Sequence, residues 1–217
     1  MTVALAIVED DDRIQAAIEA VIDAGRYAAA RQWVPATSGN FSVRIDAQRI
    51  AITRSGVDKG ALTVPDILIQ SLDAPLLPGS SAEAALHIRQ YEDDPEIGAI
   101  FHIHGPSSAV IARAHLSEAA VRLEGWELQK ALAGVTTHEA AVEVPVFAND
   151  QNVEALSQRI ATRLAEPVAP NQLRAPGYLL AGHGLYAWGK TPRDAKRHLE
   201  AFEALFNQVL TFRSYRP

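Results

Sequence analysis

The sequence predicts an α/β fold, because short apolar runs typical of buried strands alternate along the chain with longer segments of helical periodicity. The 217 residues contain no linker-like tract, no low-complexity segment and no internal repeat. The composition, 48% hydrophobic and 21% charged, is that of a globular chain able to bury a sizeable core. We therefore expect residues 1–217 to form a single α/β domain.

The helices are predicted from apolar spacing and from residues typical of helix ends. A first helix follows Asp11-Asp12, with Gly25 as its stop and a second short helix over residues 27–32. Ser81 is a candidate N-cap for a helix that runs to Asp94, and Thr191-Pro192 begins the last helix well. Further helices are expected over residues 107–115, 124–134 and 153–164. Strands are expected over residues 41–45, 50–53, 67–72, 99–103, 142–146 and 178–181.

Two histidines lie at the end of the strand predicted at residues 99–103. His102 and His104 point to the same face, because successive strand side chains alternate, and their Cα atoms should lie roughly 6–7 Å apart. That spacing allows both imidazoles to reach one metal ion, and a third ligand must come from elsewhere. The best candidate is His183, which is flanked by glycines at the end of another apolar run. The alternative is that these are hydrogen-bonded core histidines.

Charge and composition exclude several classes of function. A net charge of −6 without a basic run argues against general binding to nucleic acid or to anionic membranes. The absence of cysteine excludes disulfides and thiolate zinc ligands, so a metal would be held by nitrogen and oxygen. No run approaches the ~20 apolar residues that span a bilayer. Residues 2–8 lack the features of a signal peptide, and we expect a soluble cytoplasmic protein.

Two early loops have the composition of a phosphate site. Hydroxyls, glycines and basic residues can direct several donors at the oxygens of a phosphate, although each loop could equally be a plain turn. The candidates are Ser38, Gly39 and Asn40 in the first loop, with Thr53, Ser55, Gly56 and Lys59 in the second. Ser81 could cap its helix or help to bind an anion there.

Two glutamates are candidates for proton transfer. Glu83 lies near a helix start, where the helix dipole favours an acid, or it points into a site. Glu127 follows Trp126, and burial against that ring would raise its pKa toward useful acid/base values. The alternative for Glu127 is an exposed helical position. His87, one turn after Glu83, is expected to be a packing or surface residue.

Taken in order, these motifs resemble those of the class II aldolase/adducin family of zinc-dependent sugar-phosphate enzymes. The matching motifs cover nearly the whole chain: Ser38-Gly39-Asn40, Thr53-x-Ser55-Gly56, Ser81-Ala82-Glu83, His102-x-His104 and Gly182-His183-Gly184. The resemblance implies a three-layer α/β/α domain with a largely antiparallel central sheet. It also implies a homotetramer with active sites near subunit contacts and a small sugar phosphate as substrate.

The resemblance further implies roles for single residues. Zinc, one ion per subunit, would be held by His102, His104 and His183. Glu127 would be the catalytic acid/base, and the two early loops would contact phosphate. Where the aldolases carry a serine directly before their catalytic glutamate, this chain has Ala82. Glu83 and Glu127 are therefore rivals for proton transfer.

Three stretches bring the chain closer to the dehydratases of the family: residues 81–87, 125–132 and 182–189. This implies dehydration of 5-methylthioribulose 1-phosphate in methionine salvage, and it favours Glu127 as the acid/base. The alternatives are a sugar-phosphate aldolase or 4-epimerase, which would use the same metal. A non-catalytic, adducin-like interaction domain would not need the three histidines.

Overall fold

The computed structural model describes residues 2–215, with side chains from residue 11 onward. Within that range the chain forms five α-helices and nine strands. The helices are α1 (Thr2–Ala30), α2 (Ala84–Asp93), α3 (Pro106–Ala114), α4 (Val153–Ala165) and α5 (Pro192–Ser214). The strands are β1 (Asn40–Arg44), β2 (Arg49–Thr53), β3 (Ile67–Ser71), β4 (Ala99–Ile103), β5 (Ala120–Leu123), β6 (Ala141–Phe147), β7 (Gln172–Arg174), β8 (Gly177–Leu180) and β9 (Gly184–Gly189).

The strands form one sheet in the order β3-β2-β1-β4-β9-β8-β6-β5, with β7 beside β6. Only the pairs that β6 makes with β7 and β8 are parallel within the described residues. The remaining pairs are antiparallel, as the family resemblance implied. The strand that carries the two histidines, β4, therefore lies inside the sheet between β1 and β9.

Helices cover both faces of the sheet, which confirms the expected three layers. On one face Phe101 and Ile103 of β4 pack in a core with residues of α1, α3 and α5. On the other face Ile100 packs with residues of α2 and α4. Alternation along β4 consequently turns His102 toward the α2/α4 side, opposite to Ile103. Among residues 2–215 we find no helix with the length and apolar character needed to cross a membrane.

The first helix differs from its prediction. It runs without interruption from Thr2 to Ala30, so Gly25 is not its end. A Cβ at Gly25 would lie 2.5 Å from the backbone oxygen of Lys59 and 2.6 Å from Leu62 Cδ1. Glycine is therefore required there by the close approach of the loop at residues 59–62 rather than by a helix stop.

Two other boundaries also differ. The predicted short helix at residues 124–134 is a 3₁₀ turn over Glu127–Ala131. Residues 184–189, for which no strand was predicted, form β9, so the Gly182-His183-Gly184 turn joins two adjacent antiparallel strands. The cap of α5 is as predicted, because the Thr191 hydroxyl accepts a hydrogen bond from the Asp194 amide at 3.1 Å.

Candidate metal centre and substrate cleft

Three imidazoles converge at the end of β4. His102 Nε2 lies 3.1 Å from His104 Nε2 and 3.2 Å from His183 Nε2. In a tetrahedral site with metal–nitrogen bonds of about 2.0–2.1 Å, ligand nitrogens are about 3.3–3.4 Å apart. The three histidines, distant in sequence, therefore have the spacing that a single divalent ion requires.

Contacts on the far side of two rings orient their Nε2 atoms toward the cluster. His102 donates from Nδ1 to the backbone oxygen of Leu185 at 3.0 Å, which leaves Nε2 without a proton when the ring is neutral. His183 Nδ1 lies 3.3 Å from Asn149 Oδ1, which can act only as an acceptor. A second partner of this kind orients a metal-binding histidine and selects its tautomer. A neutral His102 thus presents Nε2 to the centre of the cluster, and the contact with Asn149 orients the His183 ring so that its Nε2 faces the same point.

The protonation of His102 and His104 also suits a metal. Burial lowers the pKa of His104 to about 4, assisted by the neighbouring His183 and Lys59. Burial also holds the pKa of His102 well below its ordinary value. Neutral imidazole is the form that binds a metal, and an all-nitrogen set fits zinc and other first-row divalent ions. The residues of this cluster therefore fit the metal that the family resemblance implies.

Glu83 lies beside the three rings, at the start of α2. Its Oε1 is 3.1 Å from His183 Nε2, and its Oε2 accepts a 2.6 Å hydrogen bond from Asn40 Nδ2. Burial alone would raise the pKa of Glu83. The hydrogen bond with His183, the nearby imidazoles and the Asn40 amide outweigh burial and hold that pKa well below its usual range. Glu83 is consequently an ionised carboxylate at the edge of the histidine cluster.

A cleft of about 440 Å³ opens over this cluster. Of the predicted site residues, ten line it: Ser38, Gly39, Asn40, Ser55, Gly56, Lys59, Ser81, Glu83, His104 and His183. His102 lies behind them, fully buried, with its Nε2 against the other two imidazoles. The two early loops, the start of α2 and the histidine turn thus surround one space that is large enough for a sugar phosphate.

Two of the predicted phosphate contacts have other partners. Thr53 does not line the cleft; its buried hydroxyl accepts a hydrogen bond from the Phe41 amide at 3.2 Å. Lys59 lines the cleft but is only 1% exposed. Its Nζ donates to the backbone oxygens of Thr37 at 2.7 Å and Val57 at 2.8 Å, so the ammonium ties the two loops together.

Glu127 lies elsewhere on the molecule. Its side chain is 71% exposed, forms an ion pair with Lys130 and lies 3.5 Å from His138 Nδ1, and it does not line the cleft of its own chain. The expectation that burial against Trp126 raises its pKa is wrong. The hydrogen bond from Lys130 instead lowers the pKa of Glu127, because the carboxylate is in solvent beside an ammonium group.

The sequence reasoning missed three features of the site. Asn149 orients His183 from a loop 34 residues away, a contact that no local pattern signals. Arg54 lines the cleft, and its place directly before Ser55 could have identified it. The first loop is also strained, because Ala36 and Thr37 have positive φ values of 52° and 64° although neither is glycine.

Comparison with known proteins agrees with this geometry. A family model described as the class II aldolase and adducin N-terminal domain matches residues 19–210. The chain therefore belongs to the class II aldolase/adducin family. Among its relatives is the methylthioribulose-1-phosphate dehydratase of Bradyrhizobium sp. (strain BTAi1), 63% identical over 94% of this chain and 95% of the relative. The protein of that name from Pseudomonas aeruginosa is 45% identical over 90% of this chain and 94% of its own length.

A solved structure shares the fold. The L-fuculose-1-phosphate aldolase of Thermus thermophilus superposes with a TM-score of 0.74 at 27% identity. The superposition covers 94% of this chain and 98% of the aldolase. The fold expected from the sequence is thus confirmed both by the sheet and by its neighbours.

Proposed function

We propose that this protein is a zinc-dependent lyase that dehydrates 5-methylthioribulose 1-phosphate to 2,3-diketo-5-methylthiopentyl 1-phosphate, in methionine salvage. The observation that carries the proposal is the convergence of three imidazoles and one carboxylate on a single cleft. The relatives named methylthioribulose-1-phosphate dehydratase, which match over nearly their full length, support this choice of substrate.

Zinc would be held by Nε2 of His102, His104 and His183. When bound there, a divalent ion polarises the C2 carbonyl of the ketose and so acidifies the proton on C3. The protein must then remove that proton and protonate the C4 hydroxyl as it leaves as water. The enol that remains tautomerises to the 2,3-diketone. Two proton transfers at neighbouring carbons thus require correctly placed acid/base groups.

Glu83 and Glu127 are the groups we assign to these transfers. Glu83 can act within its own subunit, because its carboxylate lies in the cleft. Glu127 does not line the cleft of its own chain, so it can act only on the cleft of a neighbouring subunit. Its assigned role therefore depends on the homotetramer that we propose, in which active sites are near subunit contacts. Size-exclusion chromatography with light scattering tests the subunit number.

The phosphate would bind between the two early loops. Ser38, Ser55 and Ser81 line this part of the cleft, and Arg54 adds a positive charge there. The Ser38 hydroxyl is buried and has no hydrogen-bond partner among the described residues, so an acceptor in the cleft would satisfy it. Gly39, Asn40, Gly56 and Lys59 complete the wall, whereas Thr53 supports it from behind. Anchoring the phosphate would position C3 against the acid/base groups.

The proposed substrate favours a location in the cytoplasm. A phosphorylated ketose carries charge that makes transfer into a bilayer unfavourable, so it remains in the compartment where it is made. We propose that the protein acts there on a small metabolite rather than on nucleic acid or at a membrane.

A substrate panel tests the proposed reaction. The purified, zinc-loaded protein is assayed with methylthioribulose 1-phosphate, fuculose 1-phosphate and ribulose phosphates. We expect dehydration of the first and no cleavage of the others. The structural similarity to a fuculose-phosphate aldolase makes aldol cleavage the second candidate, so cleavage of fuculose 1-phosphate without dehydration would overturn our assignment. Absence of stoichiometric metal from the purified protein would instead favour an interaction domain.

A further inference from the structure

His87 is a fully buried histidine behind the cleft, on α2 one turn after Glu83. Both of its ring nitrogens have short contacts. Nδ1 lies 2.7 Å from the Ser42 hydroxyl, and Nε2 lies 2.5 Å from Asn40 Oδ1. It does not line the cleft, so it cannot touch the substrate. The expectation that it is a packing or surface residue is therefore incomplete. His87 contacts two side chains of β1, Ser42 and Asn40, and Asn40 in turn donates to the carboxylate of Glu83.

The direction of these hydrogen bonds follows from the orientation of the Asn40 amide between Glu83 and His87. Asn40 Nδ2 faces Glu83 Oε2 at 2.6 Å, so the amide NH₂ donates to this carboxyl oxygen. The carbonyl oxygen of Asn40 then faces His87, whose Nε2 must carry the proton. His87 Nδ1 is in turn an acceptor, and the Ser42 hydroxyl donates to it. The Tyr91 hydroxyl, 3.0 Å from the Ser42 hydroxyl, donates to that oxygen.

The surroundings of His87 keep the ring neutral, which this direction requires. Burial lowers the pKa of His87 to about 4, although the negative charge of Glu83 opposes that shift. Tyr186 packs edge-on against the ring at a centroid distance of 5.6 Å. The same Tyr186 stacks on His102 at 3.9 Å, so one aromatic residue supports both rings.

We propose that His87 is a positioning residue that locks the amide of Asn40 and thereby aims the Glu83 carboxylate at the histidine cluster. If the Asn40 amide turned over, its oxygen would face the carboxylate and its NH₂ would face the proton on His87 Nε2. Both contacts would be repulsive, so the proton on Nε2 selects one orientation of Asn40. The catalytic consequence rests on the proposed function, whereas the hydrogen-bond direction does not.

Two substitutions that keep different halves of the ring test the proposal. Glutamine can place an amide N–H near the position of Nε2, whereas asparagine reaches only the position of Nδ1. We expect His87→Gln to keep kcat within about threefold, because the donor to Asn40 is retained. His87→Asn should lower kcat about 10–100-fold with KM within about threefold and full zinc content, because Asn40 is released. His115→Gln, at a buried histidine outside the cleft, controls for loss of an imidazole.

Equal activity of the two variants would overturn the proposal, since a residue needed only for packing does not distinguish the two ring nitrogens. Thermal unfolding of each variant shows whether it is folded. Should either variant fail to fold, nitrogen-15 NMR of the wild-type ring, in the metal-free protein, decides the question. We expect a neutral ring with its proton on Nε2, and a proton on Nδ1 would overturn the proposal.

The two measurements also separate this inference from the proposed function. If the wild-type protein does not dehydrate methylthioribulose 1-phosphate, the proposed function is wrong. The NMR result still tests the position of the proton on His87, because it does not depend on the substrate. The kinetic comparison then uses the ketose phosphate that the wild-type protein does convert.

Discussion

The histidine cluster and the segment around Glu127 differ in how the fold holds their side chains. In the cluster, His102 belongs to an inner strand, and its ring is fixed by a backbone oxygen on one side and a stacked tyrosine on the other. Glu127 belongs to a 3₁₀ turn on the surface, and its partners are two partly exposed side chains. The cluster is therefore organised within a single chain, whereas Glu127 gains a catalytic environment only if another subunit covers it.

The largest effect should come from removing a ligand of the cluster. His183→Ala leaves two imidazoles, which do not hold a catalytic zinc. We expect zinc content to fall to near zero and kcat to fall by about 10³-fold or more. Elemental analysis and the dehydration assay measure these effects, with His115→Ala as a control at a histidine outside the cleft. Retention of stoichiometric zinc by the variant would contradict the three-ligand site.

Replacing the two glutamates compares the two regions directly. Glu83→Gln and Glu127→Gln should each lower kcat by about 10²–10⁴-fold while zinc stays bound, because each removes a group assigned to proton transfer. Exchange of the C3 proton with D₂O shows which glutamate is the base, since only the variant that lacks the base loses this exchange. Near-normal turnover of Glu127→Gln would show that Glu127 has no catalytic role and that the cleft of a single chain contains the groups needed for catalysis.

Mixed oligomers test whether a cleft is shared between subunits. Glu127→Gln and His183→Ala proteins, each inactive alone, should regain activity when they are unfolded and refolded together, because some clefts then combine an intact metal site with an intact Glu127. The pair Glu83→Gln and Glu127→Gln should behave in the same way. Glu83→Gln with His183→Ala should not recover, because both residues belong to the same cleft. Recovery by this last pair would contradict that arrangement.

A smaller effect is expected at the loops of the cleft. Lys59→Met removes a buried ammonium that bonds two backbone oxygens, so it should lower the free energy of unfolding by about 1–3 kcal/mol. KM for the phosphorylated substrate should rise as well, because the two loops are no longer tied. Urea unfolding and steady-state kinetics measure the two effects. Lys190→Met, at a lysine 75% exposed, is the matched control, and equal stability of both variants would exclude this role for Lys59.

The smallest effect should be that of Lys130→Ala. The ion pair of Lys130 with Glu127 is in solvent, and such pairs contribute about 0–1 kcal/mol. We expect the free energy of unfolding to change by less than about 0.5 kcal/mol, measured by urea unfolding. A decrease of about 2 kcal/mol or more in the free energy of unfolding would contradict the view that Glu127 and Lys130 lie in a solvent-exposed segment with weak contacts.

The sequence predicted a region well where local interactions determine its structure, and poorly where contacts between distant residues do. Alternation along one strand placed His102 and His104 on a common face, and the glycines around His183 marked a turn at a strand end. The environment of Glu127 depends instead on long-range packing, since Trp126 contacts Phe212 of α5 with ring centroids 5.9 Å apart. Trp126 is itself only partly buried, and its packing does not extend to its neighbour, because the side chain of Glu127 points away into solvent. The Asn40–His87 contact likewise joins residues 47 positions apart that no local pattern connects.

The placement of His102 and His183 on two neighbouring parts of the sheet has a consequence for how the protein would respond to metal supply. An ion shared by residues 81 positions apart in sequence cross-links strand β4 to the β8–β9 turn. Because the imidazoles are already assembled in the folded chain, binding favours the folded over the unfolded state by mass action. The melting temperature should therefore rise with the free zinc concentration, and chelators should shorten the lifetime of the folded protein as well as its activity.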